Sequence, residues 1–518
     1  MPFSFRGYLD KFKSILDDYS HLQVSLIDHA VTPFNLSIAS ARTCYSPKGI
    51  ILPPEMEKNV ELRDKIAEST MQAGHLTTRQ HAHFVFGISG ISRNAIWQFL
   101  HAHPYYNSEQ VSQRYVSIKG KDWYTVPGEL KTGGIALFHE DAMATYQNLV
   151  EILKPSVEEE YYSIFRARKN SKDKYESHVR KKCMEVARYV MPLSTTAYMY
   201  HTVSALTLYR YVAMMHHYRH DEIIALVLKM LQEVDRVDPL VVAEIPEPPQ
   251  PEMGNREIPS NPALALKNNA LFDEKLRQAG VVSRLVSATQ EPGKVLEEIA
   301  QAVLGSPGEN IAESLLNVDE NPVLGDTLYP VSLDVRARIL NHLHFTYQKK
   351  LSHTADSQEQ RHRTLPGARP ELYTQVSLEE DYITPVMIGE VSKAKEVYDS
   401  FMQRNFTLIN SLYKNGTGMD KLTYLLPNAF PVRFYESGDY LNFFHKWKAR
   451  LCYTSQEEIF YSSLDEVRQL TQRYPFFKKY IGAPCYLRRN IKPVCPEGDK
   501  YCGVKVWKLS LDEYSRKL

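Results

Sequence analysis

The sequence predicts a mixed helix-and-strand fold written out twice, and three observations predict it. The chain has 518 residues, room for about two to four units of ordinary domain size. Between Glu244 and Pro262 it carries Pro246, Pro248, Pro249, Pro251, Pro259 and Pro262 with little apolar content, which favours an extended linker. On either side of that linker the same order of strand, proline turn and helix recurs. The resulting division is a first domain over 1–243, a linker over 244–265, and a second, more divergent domain over 266–518 with a cysteine-containing tail.

In the first half, residues 24–28 (Val-Ser-Leu-Ile-Asp) read as a strand, Thr32-Pro33 as a turn and 36–42 as a helix. Ile96, Phe99, Leu100 and His103 then fall at helical spacing, after Arg93 and before a polar loop. In the second half, residues 281–286 read as a strand, Glu291-Pro292 as the turn and 295–304 as the helix. Leu340, Leu343 and Tyr347 read as the counterpart of the first half's second helix, with Arg336 before it and residues 352–363 as its polar loop. With one residue dropped, Gln360-Arg361 lies on Gln113-Arg114. A third parallel pairs Val190-Met191-Pro192 with Leu425-Leu426-Pro427, each expected to lead into a long aromatic-rich helix. Strand-turn-helix is a common local pattern, so two unrelated α/β domains would also produce it.

Composition excludes more than it selects. With 62 basic against 61 acidic residues and a net charge of +1, there is no general attraction to nucleic acid or to an anionic membrane. No stretch approaches a spanning helix and no basic-then-apolar leader is visible, so the expected location is cytoplasmic. The dinucleotide glycine fingerprint, the phosphate-loop Gly-Lys-Ser/Thr and His-Glu-x-x-His are all missing, which disfavours a Rossmann dehydrogenase, a nucleoside triphosphatase and a zincin. Six cysteines are too few for a disulfide scaffold, yet Cys485, Cys495 and Cys502 crowd the tail among turn residues, as zinc-binding thiols do. Their spacing matches no standard zinc pattern. A fourth ligand would come from further away, such as Cys452 or His445, and packed free thiols would also fit.

The segment Ser108-Glu-Gln-Val-Ser-Gln-Arg-Tyr-Val116 offers a hydroxyl, amides and a guanidinium, the donor set that a phosphorylated pyrimidine needs. It resembles the signature loop of the flavin-dependent thymidylate synthases. Around it stand family-like phrases in family order: Ala41-Arg-Thr-Cys-Tyr-Ser46, Gly74-His-Leu-Thr77 through His81-Ala82, Gly90-Ile-Ser-Arg93, and Ala187-Arg-Tyr-Val-Met-Pro192. The resemblance covers residues 23–225 well and parts of the second half more thinly. It implies an α+β fold, a twisted sheet with long packed helices, two tandem copies per chain, and a homodimer forming a four-domain core. It also implies FAD as cofactor, NADPH and methylenetetrahydrofolate as co-substrates, and conversion of dUMP to dTMP without a covalent cysteine.

Residue by residue, the resemblance places Ser112 and Arg114 at the reacting nucleotide, with Gln98, Gln110, Gln113 and Arg188 as further nucleotide contacts. His75, Thr77 and His103 fall on flavin contacts. The family loop reads Arg-His-Arg, seven residues, Ser; here it reads Ala102-His103-Pro104, residues 105–111, Ser112, so both arginines are replaced. A later family arginine, six residues before Gln-x-Glu-Ile, becomes Met214 or Met215 in the first half. In the second half it survives as Arg450 before Gln456-Glu-Glu-Ile459, whereas Thr423 replaces the counterpart of Arg188. Complementary losses imply that the copies divide one site, with Arg450 and Arg361 completing what Ser112, Gln113 and Arg114 begin. Two other readings share these residues: a flavoenzyme acting on another pyrimidine or one-carbon donor, and a non-catalytic nucleotide- or flavin-binding relative. Arg361-His362-Arg363 resembles the missing motif but follows the expected helix by too many residues. On exposed helices Arg188 and Arg450 would usually be surface residues, and His103 an ordinary core histidine.

Overall fold

A computed structural model describes residues 4–118, 122–218, 220–245, 259–305, 311–325 and 334–516. Residues 246–258, most of the proline-rich linker, lie outside the described residues. The chain forms two compact units, Met1–His139 with Leu193–Ile258, and Glu140–Pro192 with Pro259–Leu518.

The first unit is built on four antiparallel strands, β1 (Gln23–His29), β2 (His83–Ser92), β3 (Asn107–Gln110) and β4 (Thr196–Ser204), in the order β1-β2-β4-β3. Its site-bearing helices are α1 (Pro33–Thr43), α2 (Arg93–Ala102), α3 (Ala205–Tyr218) and α4 (Asp221–Val237). The second unit repeats the sheet with β5 (Ser283–Ala288), β6 (His344–Ser352), β7 (Gly367–Ala368) and β8 (Pro431–Asp439), in the order β5-β6-β8-β7. Its matching helices are α5 (Pro292–Leu304), α6 (His353–Glu359), α8 (Tyr440–Arg450) and α9 (Glu457–Arg473), with a further helix, α7 (Ser392–Lys414), between α6 and α8 in the chain.

The repetition reaches into local detail. Pro33 and Pro292 each open a helix, where a missing N–H costs nothing. The first strand of each sheet carries a bulge at one place, between Leu26 and Asp28 and between Leu285 and Ser287. Ser92 and Ser352 each close a strand and cap the next helix, accepting from Ala95 N at 3.0 Å and Ala355 N at 3.2 Å. Each also leans on a glutamate from a later helix, buried Glu222 in the first unit and half-buried Glu458 in the second. Ser92 donates from N to Glu222 Oε1 at 2.6 Å and from Oγ to Oε2 at 2.5 Å. Ser352 donates likewise to Glu458, at 2.5 and 2.6 Å.

The equivalence of the second half departs from the sequence reading in three places. Leu340, Leu343 and Tyr347 do not form a helix: Leu340–His342 is a short 3-10 turn and His344–Ser352 is β6. Leu343, Phe345 and Tyr347 alternate toward the core at the strand period of two, and that run coincides with helical spacing at its ends. Residues 352–363 are likewise not a loop throughout, since 353–359 form α6, the true counterpart of α2. Pro192 and Pro427 lead into β4 and β8, and the aromatic helices α3 and α8 come only afterwards.

Within the second unit the segments that the sequence reading paired lie against each other. Pro192 and Pro427 form an antiparallel bridge. Asn428 N donates to Met191 O at 2.8 Å, and Ala429 N to Tyr189 O at 3.0 Å.

Candidate functional site

In the first unit the polar loop is held from below by Arg93, the first residue of α2 and 8% exposed. Its guanidinium donates to Gln110 Oε1 and to Val111 O, both at 2.7 Å, while Val111 N donates to Tyr198 O at 3.0 Å. Through its Oε1, Gln110 helps position the loop. Ser112 Oγ accepts from Arg114 N at 3.2 Å, a local turn that tightens the loop, and the Arg114 guanidinium lies over the Tyr115 ring at 5.3 Å. Gln113 is buried, while Ser112 and Arg114 are half-buried at the loop surface. On α2, Gln98 is also half-buried and donates to Asn94 Oδ1 at 3.5 Å.

His103 lies past the end of α2. Its Nε2 meets Arg210 Nη1 at 3.2 Å, and burial, then Arg210, lower its pKa to about 4. It is a neutral acceptor at pH 7. His75 is exposed just before the short 3-10 segment Leu76–Gln80, and Thr77 is exposed on it. That segment is fixed by Arg79, fully buried and ion-paired to Glu244, which also accepts from Tyr209 Oη at 2.9 Å. Sequence reasoning missed Arg79 and Glu244 because their pairing spans most of the unit.

In the second unit, strand register corrects the reading of Arg361-His362-Arg363. β3 sets Ser108 opposite His201, and β7 sets Gly367 opposite Glu436. Thr196 and Pro431 start their strands opposite Ser92 and Ser352, so His201 and Glu436 are equivalent, and so are Ser108 and Gly367. Counting back equally from these two places His362 on His103, Arg361 on Ala102 and Arg363 on Pro104. Exposure agrees: Arg361 and Arg363 are exposed on either side of a buried His362, as Ala102 and Pro104 are around His103. The apparent excess length arose from taking 340–347 as the preceding helix. Gln360-Arg361 is therefore not the counterpart of Gln113-Arg114. Those positions are Leu372 and Tyr373, and Ser112 is matched by Glu371, whose pKa burial raises.

His362 is fixed by Arg450 in the way that His103 meets Arg210. Arg450 Nε donates to His362 Nε2 at 2.9 Å and Nη2 to Gln358 O at 2.6 Å. Burial, then Arg450, holds His362 neutral far below its ordinary range. Arg450 is half-buried and stands where the first half has Met215. Arg188 is 4% exposed, next to Tyr189, whose hydroxyl donates to Glu458 Oε2 at 2.5 Å. Arg188 O accepts from Asn428 Nδ2 at 3.0 Å. Of the expected site residues, the first unit holds His75, Thr77, Gln98, His103, Gln110, Ser112, Gln113 and Arg114, and the second holds Arg188, Arg361 and Arg450.

Known proteins agree with the twofold pattern. The model of the thymidylate synthase complementing protein family matches residues 25–240 and again 284–476. The chain belongs to that family. The two matches fall on the two sheets with their helices, so the fold is a tandem pair of copies of one domain. A flavin-dependent thymidylate synthase of Clostridium tetani is 29% identical over 228 residues, 42% of this chain and 84% of that protein. Another, from Geobacter sulfurreducens, is 34% identical over 112 residues, 21% of this chain and 47% of that protein.

The donors of each unit suit anionic, phosphate-bearing ligands. Exposed guanidinium groups at Arg361 and Arg363 flank a rigid, neutral histidine, and Ser112 and Arg114 stand on a braced loop. Among the described residues no helix is long and apolar enough to cross a membrane.

Proposed function

We propose that this chain methylates dUMP to dTMP as a divergent flavin-dependent thymidylate synthase, with NADPH and methylenetetrahydrofolate as co-substrates. The observation that supports it is complementary retention: Ser112-Gln113-Arg114 persists only in the first copy, and Arg361-His362-Arg363 with Arg450 only in the second. The donor set is complete only when both copies contribute. Arg361 and Arg363, with His75 and Thr77, would hold FAD, which when bound supplies hydride for the one-carbon unit. Ser112, Gln113 and Arg114 bind and orient the nucleotide. Arg93 and Gln110 keep that loop in place. Burial, with Arg450 and Arg210, keeps His362 and His103 neutral, and the two arginines fix their orientation, so the flanking groups need no reorganisation when a ligand arrives. Gln98 and Arg188 complete the nucleotide side. The chain works in the cytoplasm as a homodimer, whose two chains supply four copies.

Flavin content and dUMP affinity of Arg114→Ala and Arg361→Ala full-length proteins test the proposal. Loss of a charge-assisted contact worth roughly 1.5 to 3 kcal/mol predicts at least about a tenfold loss of ligand affinity in each. Growth rescue of a thymidine-requiring cell by the wild type, but by neither variant, is the expected result. Unchanged binding in both variants overturns it. A colourless protein that takes up no FAD would favour the non-catalytic reading, and a yellow protein that oxidises NADPH without making dTMP would favour another pyrimidine or carbon donor.

A further inference from the structure

Four of the six cysteines come together at one place in the second unit. Cys452 follows α8, Cys485 sits in the short helix Pro484–Leu487, and Cys495 and Cys502 belong to the tail. All four line a single cavity of about 20 Å³, together with Pro484, Pro496 and Glu497. Cys44 and Cys183 are elsewhere, the first exposed and the second buried within the helix Lys172–Ala187. His445, the other candidate fourth ligand, does not line this cavity and lies 5.9 Å, ring to ring, from His362.

The surrounding chain is built to deliver these thiols. Gly503, next to Cys502, has φ +83°, and a Cβ there would meet Ile164 Cγ2 at 2.7 Å and Phe165 Cε1 at 2.8 Å. The end of the tail is tied back to α9, with Tyr461 Oη donating to Arg516 O at 2.5 Å and Arg468 Nη2 to Tyr514 O at 3.3 Å. A tail with little regular structure is thus held against the core on both sides of the cysteine cavity. As neutral thiols the sulfurs turn to local partners: Cys452 Sγ to Thr454 Oγ1 at 3.2 Å, and Cys502 Sγ donates to Val504 O at 3.6 Å. Among the described residues no three His, Cys, Asp or Glu donors already stand placed to hold an ion. A cation that displaces the thiol protons removes the Cys502 bond to Val504 O, since a thiolate has no proton to donate, while Thr454 Oγ1 still donates to the Cys452 sulfur.

We propose that Cys452, Cys485, Cys495 and Cys502 bind one structural zinc ion that fastens the tail to the second unit. Four S–H protons pass to solvent, four Zn–S bonds form, and the ion sheds its water, giving the closed tetrahedral site typical of structural zinc.

Elemental analysis of the purified full-length protein, repeated after exposure to zinc and desalting, tests the assignment. About one zinc per chain is expected, with release stoichiometric with modification of about four thiols. Cys485→Ser and Cys502→Ser should lose the metal and expose the tail to limited proteolysis, while Cys44→Ser and Cys183→Ser should retain it. If the serine variants fail to fold, cobalt substitution of the wild type decides instead, through the intense charge-transfer absorption of a tetrahedral thiolate site. Protein that takes up no zinc, that carries iron instead, or whose four thiols are found as disulfides overturns the proposal. Because the readout is metal content, its failure leaves the reading of the nucleotide site untouched.

Discussion

The interiors of the two copies show what one backbone will tolerate. In the first, Ile88, Phe99, His201, Tyr211 and Met230 are all buried, with the Phe99 and Tyr211 rings 4.5 Å apart and His201 bonded to Tyr211 Oη at 3.1 Å. In the second, register and chain continuity put Lys349, Glu359, Glu436, Lys446 and Glu466 at those five places, all almost completely buried. Lys446 Nζ contacts Glu436 at 2.6 Å and Glu466 at 2.8 Å, and Lys349 contacts Glu466 at 2.9 Å. Burial alone would raise the Glu436 pKa, but Lys349 and Lys446 hold it down to about 2. A packed, largely aromatic core and a network of three carboxylates around two ammonium groups, with Glu359 3.9 Å from Lys349, fill the same space. The lesson is that a sheet-and-helix frame fixes volume and direction, while polarity inside is free to change if every charge keeps a partner.

Breaking the network one charge at a time should produce the largest effect. Lys446→Met leaves two carboxylates short of a cation and should cost about 3 to 5 kcal/mol, read from chemical denaturation of the second unit. Replacing Lys349, Glu359, Glu436, Lys446 and Glu466 together with the first copy's Ile, Phe, His, Tyr and Met should instead come out near neutral. A cost as large as that of the single change would show that the two interiors are not interchangeable.

The paired glutamates sharpen the comparison at smaller scale. Glu222→Ala and Glu458→Ala each strand a buried serine hydroxyl and a backbone N–H, so each should cost on the order of 2 to 3 kcal/mol. Glu458→Ala should cost about 1 kcal/mol more, because Tyr189 also loses its acceptor. Equal costs would mean that the Tyr189 bond adds nothing.

The smallest effect concerns pH. His103 has a folded pKa of about 4 against an ordinary 6.5, so the unfolded chain binds more protons between these values. Its contribution is present above pH 6.5 and is lost as pH falls toward 4. The half-buried ring limits this to on the order of 1 kcal/mol, measurable as a difference in Tm between wild type and His103→Gln across that window. His362, more deeply buried beside Arg450, should stay neutral to still lower pH in a histidine NMR titration.

Much of this was legible in one dimension. The proline turns at Pro33 and Pro292, the flanking strands and helices, the pairing of Arg188 with Thr423 and the survival of Arg450 all depend on local pattern, and the structure reproduces them. Local pattern also misled at Leu340, Leu343 and Tyr347, where the separation of Leu343 from Tyr347 satisfies the strand and helical periods at once. That single error moved the polar loop and hid the equivalence of His362 with His103.

The amino-acid order by itself determined that two related domains lie in one chain and which guanidinium, hydroxyl and imidazole groups each retains, because those are matters of composition and short spacing. Only the tertiary structure decided which residue answers to which, since strand register is set by hydrogen bonds between segments far apart in the chain. It also decided that Lys349 and Glu436 are core residues and that four distant cysteines share a cavity. Burial and convergence depend on packing between distant segments, which spacing along the chain does not encode.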